Sequence, residues 1–366
     1  MIIIIIRLLK IILCLLSVLI TPAITAFSKE VTALLPYIEG DGYADRMLHS
    51  PVIGWMSPTK IIYSVNSRET DNSYSGVWTK YGNDFVTTKQ VNILNLVTKK
   101  TSPYKKGQLV NYENGEITIR QYAIRNNNDY KTTVLKGLLD SNSLKTVIET
   151  NNERHANSPF DACPHDTSNK SDYHAMFLKS DHGCVHVPDS YAKDKRWIFY
   201  RADGLSIELM NTPEEYFWRG SYWIDWLGAY VLGDTIMGNK SGTILASAAK
   251  MKLLTPSGMF KLVDIDVNTW SAEHARPTRA GVVAAINTNK NIFLQPLGGL
   301  RLWRDGQVYK ITEGKVMATS LAPDGCKVAY LAYVSGLISF FDKTKLRVID
   351  VCEAFKVAKD ANPYDL

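Results

Sequence analysis

Turn-forming residues interrupt this chain every few positions, and that punctuation limits the folds open to it. Short runs of β-branched and aromatic residues are bounded by Gly, Asn, Asp or Pro, and long stretches of helical period are scarce. Such a pattern predicts an all-β fold. The expected strands include Lys60–Val65, Val91–Leu96, Gln108–Tyr112, Glu116–Tyr122, Trp197–Tyr200, Leu205–Leu209, Ile292–Leu294, Leu300–Trp303, Gln307–Ile311, Lys327–Tyr333 and Leu346–Val351. Glu113-Asn-Gly115 and Arg304-Asp-Gly306 separate pairs of these runs. Both have the chemistry of tight hairpins, where φ must turn positive.

A longer repeat is superimposed on the strands. Ile53-Gly-Trp-Met-Ser-Pro-Thr-Lys-Ile-Ile-Tyr-Ser64 and the segment from Ala318 to Leu331 both run strand, Pro-containing turn, strand ending in Tyr. Each is followed by further strand-like segments, Val91 to Thr101 and Leu346 to Cys352. A four-stranded unit recurring at about 40 to 50 residues predicts a blade. Within the second copy, Ser320-Leu-Ala-Pro-Asp-Gly-Cys-Lys-Val-Ala-Tyr330 resembles the Ser-Pro-Asp-Gly-Lys turn of TolB-type and WD40-like β-propellers, and Met56 to Tyr63 is a diluted copy without the Asp-Gly. The resemblance covers about a dozen residues and implies a β-propeller of about six or seven four-stranded blades, with no activity attached.

The first residues are different in kind. Arg7 and Lys10 precede the apolar run Ile11 to Ile20, and Thr21-Pro-Ala-Ile-Thr-Ala26 follows. Positive charge, a short apolar core, a helix breaker and small residues are the order of a secretory signal peptide. The run is half the roughly 20 residues of a membrane span. Residues 1–26 are therefore expected to be cleaved after Ala23 or Ala26. Residues 27–366 form the exported domain, periplasmic or extracellular and not an integral membrane protein. Loss of Arg7 and Lys10, with no acidic residue in the leader, lowers the net charge from +6 to +4. The remaining basic residues are scattered and form no stripe, which excludes a nucleic-acid groove.

Four cysteines remain beyond the leader: Cys163, Cys184, Cys326 and Cys352. An even number in an oxidising compartment implies two disulfides. Of three connectivities, proximity along the chain favours Cys163 with Cys184 and Cys326 with Cys352, each worth about 3 kcal/mol. Buried free thiols are the alternative.

Two segments could carry chemistry. Five of the seven histidines fall between His155 and His186, within a stretch near 151–190 that also holds several aspartates and the first cysteine pair. This predicts a disulfide-stapled His-rich insertion, with His165, His174 and His182 as candidate ligands for a divalent metal. Spacing restrains that reading, because His182 and His186 on an extended segment stand about 13 Å apart and cannot share one ion directly. The other reading is a polar surface loop. The second segment, Tyr216 to Tyr230, holds Trp218, Arg219, Trp223 and Trp226. These four form either an aromatic platform for a sugar or peptide or packing between blades.

No nucleotide loop, nucleophile elbow or dinucleotide fingerprint is present, and no organic cofactor is expected. The function expected is therefore a binding or scaffolding module for an envelope protein or glycan, contacted through loops such as Gln295 to Gly299 and His155 to Pro188. The alternative is a metal-assisted or carboxylate-based hydrolase built on the three histidines.

Overall fold

Strands that are apolar on alternate residues bury one face, whereas continuously apolar strands need cover on both. Gly281-Val-Val-Ala-Ala-Ile286 and Val328-Ala-Tyr-Leu-Ala332 are of the second kind, and their burial follows from how the sheets stack. The computed structural model describes residues 30–43, 52–66, 78–81, 84–87, 89–113, 115–126, 129–139, 144–150, 173–177, 183–188, 197–201, 205–209, 221–232, 249–265, 272–286, 298–334 and 343–366.

Two short strands open the described chain, β1 (Glu30–Thr32) and β2 (Ile38–Glu39). The first blade comprises β3 (Ile53–Ser57), β4 (Lys60–Asn66), β7 (Lys89–Asn95) and β8 (Lys100–Lys106), with β5 (Trp78–Tyr81) and β6 (Asp84–Thr87) between its second and third strands. The second has β9 (Gln108–Glu113), β10 (Glu116–Asn126), β11 (Asp129–Leu138) and β12 (Lys145–Thr150); β6 pairs with the far end of β10. A hairpin of the first blade thus extends the sheet of the second.

The third blade has β13 (Tyr173–Phe177), β14 (Gly183–Pro188), β15 (Trp197–Arg201) and β16 (Ser206–Leu209). The fourth has β17 (Ser221–Ile224), β18 (Ala229–Leu232), β19 (Ala249–Leu254) and β20 (Phe260–Ile265). The fifth has β21 (Ala272–Thr278), β22 (Gly281–Ile286), β23 (Gly299–Arg304) and β24 (Gln307–Lys310), with β1 added in parallel at its edge. The sixth has β25 (Val316–Leu321), β26 (Lys327–Val334) and β27 (Lys343–Asp350), completed by β2 from the start of the chain. A four-residue helix, α1 (Val351–Ala354), follows with Asp350 as its N-cap.

From the fourth blade round through the sixth and first to the second, successive sheets pack face to face. Val282, Ala284 and Ile286 meet Ile224, Val231 and Leu253 of the fourth blade. Val283 and Ala285 on the opposite face meet Val328, Tyr330 and Ala332 of the sixth. Ala329 and Leu331 then face Ile61, Tyr63 and Val65 of the first blade, and Ile62 faces Leu109, Ile117 and Ile119 of the second. Middle strands are therefore covered on both sides, and their sequences are continuously apolar for that reason. The solvent-side strand β8, by contrast, carries Lys100, Pro103, Lys105 and Lys106, residues that discourage pairing with another chain.

Among the described residues, six sheets in sequential order, the last completed by a strand from near the start of the chain, make this a β-propeller. Both hairpins expected from Asn-Gly and Asp-Gly are present, joining β9 to β10 and β23 to β24. Asp305 and Gly306 take φ of 52° and 73°. The two repeat copies are equivalent hairpins of neighbouring blades, β25–β26 and β3–β4, held together by Ser320 Oγ donating to the Ile53 carbonyl at 3.0 Å.

Within the stretch near 151–190, Tyr173–Phe177 and Gly183–Pro188 are the first two strands of the third blade.

Candidate functional site

The first strands of neighbouring blades touch one another, β21 with β25, β25 with β3, and β3 with β9, and so form the inner wall of the ring. The register of β3 shifts between Trp55 and Ser57, that of β21 between Glu273 and Arg276, and that of β25 between Val316 and Thr319. Such bulges leave backbone groups outside the ladder, and in β21 and β25 side chains of the adjacent blade bond to them. Arg276 donates from Nε and Nη2 to the Thr319 carbonyl at 3.3 and 2.9 Å, and Thr319 Oγ1 donates back to the His274 carbonyl at 3.0 Å. His274 itself has φ of 56°, a left-handed conformation that costs a non-glycine residue roughly 1 to 3 kcal/mol. Sequence reasoning missed this girdle because no local signal marks a bulge partner in the next blade.

The two ends of the ring differ. At one end lie the connections between first and second and between third and fourth strands: 58–59, 96–99, 114–115, 139–144, 178–182, 202–205, 225–228, 255–259, 279–280, 305–306 and 322–326. All are short. At the other end lie the connections between second and third strands and between blades: the short 107, 127–128, 266–271 and 311–315, and the longer 40–52, 67–77, 151–172, 189–196, 210–220, 233–248, 287–298 and 335–342. Loops at strand ends rather than blade faces are where propellers are free to vary.

The predicted site residues fall unevenly on this frame. His165 and His182 lie outside the described residues. The 151–172 connection joins the ring at the loop-rich end and the 178–182 connection at the tight end. Their attachment points are separated by the length of β13, about 16 Å. His174 is on β13 opposite Val187. Among the described residues there is no cluster of three His, Cys, Asp or Glu placed to hold a metal. Cys326 and Cys352 form the expected disulfide, with Cα atoms 5.1 Å apart. Cys163 is outside the described residues, and Cys184 is placed by its backbone on β14.

Trp218 and Arg219 are also outside the described residues, in the 210–220 connection. Trp223 on β17 packs its ring edge-on against Tyr230, centroids 4.7 Å apart. Trp226, in the tight turn after β17, stacks under the Arg279 guanidinium at 4.5 Å and lies 6.0 Å from Tyr364. A Cβ at Gly325 would come within 2.7 Å of the Trp226 ring. Trp223 and Trp226 thus serve different surroundings, one within its blade and one between blades.

Several buried groups are strongly perturbed. Burial pushes the Tyr63 and Tyr330 hydroxyls up to about 12, and Tyr63 donates to the Asp41 carbonyl at 2.9 Å. Burial also lowers the Lys252 ammonium on β19 to about 7.

These features define a β-propeller with a loop-rich and a tight end. Comparison with solved structures finds several of similar architecture. One is an oligogalacturonate lyase in complex with manganese, at 9% identity, with 89% of this chain and 100% of that one covered and a TM-score of 0.37. The mitotic checkpoint complex matches at 9% identity, 87% and 96% coverage and 0.34. The β-propeller domain of Cps50 (Swd1) from Myceliophteria thermophila matches at 9%, 86% and 99%, and 0.34. No family model and no curated protein matches the sequence. The strand order and seam packing define the fold independently of these likenesses.

Proposed function

We propose that this chain is an exported binding or scaffolding module that engages a protein or glycan of the cell envelope through its loop-rich end. The observation that carries this reading is the asymmetry of the ring, with every long connection between described strands entering at one end. The aromatic and histidine-rich segments singled out in the sequence, 210–220 and 151–172, attach there. The order of charge, apolar run and small residues before Phe27 supports export.

The test is cross-linking of the purified chain from residue 27 onward in envelope extract, with the linked lysines mapped by mass spectrometry. Links to a recurrent partner are expected at Lys170, Lys240, Lys290 and Lys315. A recurrent partner linked instead through Lys99, Lys100 and Lys261 at the tight end, or none at all, overturns the reading.

A further inference from the structure

Beyond α1 the chain forms neither strand nor helix, yet it is held across three blades at the tight end. Phe355 packs edge-on against Tyr309 of the fifth blade, centroids 5.1 Å apart, and its carbonyl accepts from Arg304. Further on, Arg279 Nη1 donates to the Ala361 carbonyl at 3.0 Å, while Nε of the same side chain donates to the Asp324 backbone carbonyl in the sixth blade at 2.8 Å. The last residues then enter the seam between the fourth and fifth blades.

This seam receives them as a binding cleft receives a peptide. Tyr364 is 2% exposed and belongs to the apolar cluster that includes Ile224, Val282 and Ala284. Its hydroxyl donates to the Thr278 carbonyl at 3.0 Å. Lys261 Nζ donates to the Tyr364 carbonyl and stands 3.7 Å from the Asp365 carboxylate. Leu366 packs against the same apolar cluster. Asn362 Oδ1 accepts from the Tyr364 amide at 3.1 Å, so Asn-Pro-Tyr is bent locally before the ring goes in. A deep pocket for one aromatic ring, a fixed acceptor for its hydroxyl and a cation reading the next residue are the parts of an anchored peptide site.

We propose that the cleft between the fourth and fifth blades at the tight end is a peptide-recognition site, which this chain fills with its own tail. It selects a segment carrying tyrosine followed by an acidic and an aliphatic residue. Tethered, the tail acts at an effective concentration on the order of millimolar and keeps the site closed to outside peptides. Removing it opens the site to a partner presenting the same three residues.

The experiment uses the chain ended after Val357, which keeps α1 and the disulfide, and a synthetic peptide of residues 358–366. Calorimetry is expected to show one-to-one binding, about thirtyfold weaker when the peptide carries Tyr364→Ala, as for loss of a buried aromatic anchor. A folded truncated chain that does not bind the peptide at millimolar concentration overturns the proposal. Should the truncated chain fail to fold, full-length Tyr364→Ala decides the matter. A fluorescently labelled peptide is expected to bind that variant at least about thirtyfold more tightly than the unaltered chain. Equal binding to both, or binding to neither, rejects the site.

Discussion

Replacing Glu30 tests how the propeller ring is fastened at its outer edge. Glu30 Oε2 accepts from Arg301 Nε at 2.6 Å, and the side chains are 9% and 1% exposed. The pair spans from β1 to the third strand of the fifth blade, and the strap continues through Ala33 and Leu35 amides bonding to the Lys310 and Ile311 carbonyls at 2.9 Å. Glu30→Ala takes the carboxylate away from a buried guanidinium that also donates to the Gly298 carbonyl at 3.3 Å. Loss of one partner of a buried pair costs about 3 to 5 kcal/mol. For some 340 residues beyond the leader, an unfolding entropy of about 2.1 cal/mol/K per residue converts this to a drop in Tm of roughly 4 to 7 °C. Urea and thermal unfolding of Glu30→Ala, Arg301→Met and the double variant Glu30→Leu/Arg301→Met form the assay. The double variant is expected to recover most of the loss, because no charge is left buried. A shift below about 1 °C for Glu30→Ala, or losses that simply add in the double variant, refutes the reasoning.

Other outcomes follow from single features. Gly325→Ala puts a Cβ 2.7 Å from the Trp226 ring at a φ of +75°, and is expected to cost about 2 kcal/mol in urea unfolding. Removing Cys326 and Cys352 together opens a loop of sequence separation 26, worth about 3.5 kcal/mol in the chain-entropy model. Neither cysteine should react with a thiol reagent in denaturant without reductant. Lys252 has a folded pKa lowered by burial from 10.5 to about 7. The unfolded chain therefore binds the extra proton between those values, and this site's contribution to stability rises with pH from about 7 to 10.5. Lys252→Met should remove that part of the rise in pH-dependent unfolding; an unchanged slope rejects the assignment.

Local chemistry made much of the ring legible. Asn114-Gly115 and Asp305-Gly306 mark hairpins because few other residues accept positive φ, and the Ser320–Tyr330 turn marks a blade because its strands and loop are contiguous. Cys326 and Cys352 were pairable by proximity for the same reason. Features assembled from distant segments left no such trace. β1 and β2 are too short to show a period, and the pairing of β6 with β10 crosses between blades. The Arg276–Thr319 contact joins residues 43 apart. Trp226 shows the limit for a candidate site: its aromatic neighbourhood read equally as a platform or as packing, and its described contacts, Gly325, Arg279 and Tyr364, come from segments far along the chain. The tail's entry into the fourth seam depends on the same kind of distant meeting.

The closure by β2 fixes an order of events during synthesis. Glu39 is among the first described residues, and Arg347, to which it bonds at 2.9 Å, comes 308 positions later. Bringing such distant points together in an unfolded chain costs about 5 kcal/mol in loop entropy alone, a cost that largely disappears once the intervening blades have stacked. The sixth blade is therefore the last to be completed, and β2, like β1 before it, waits for most of the chain before it has a partner. Until then both edges of the open ring offer unpaired backbone to other chains. The moment of greatest risk of aggregation thus falls just before completion, not at the start.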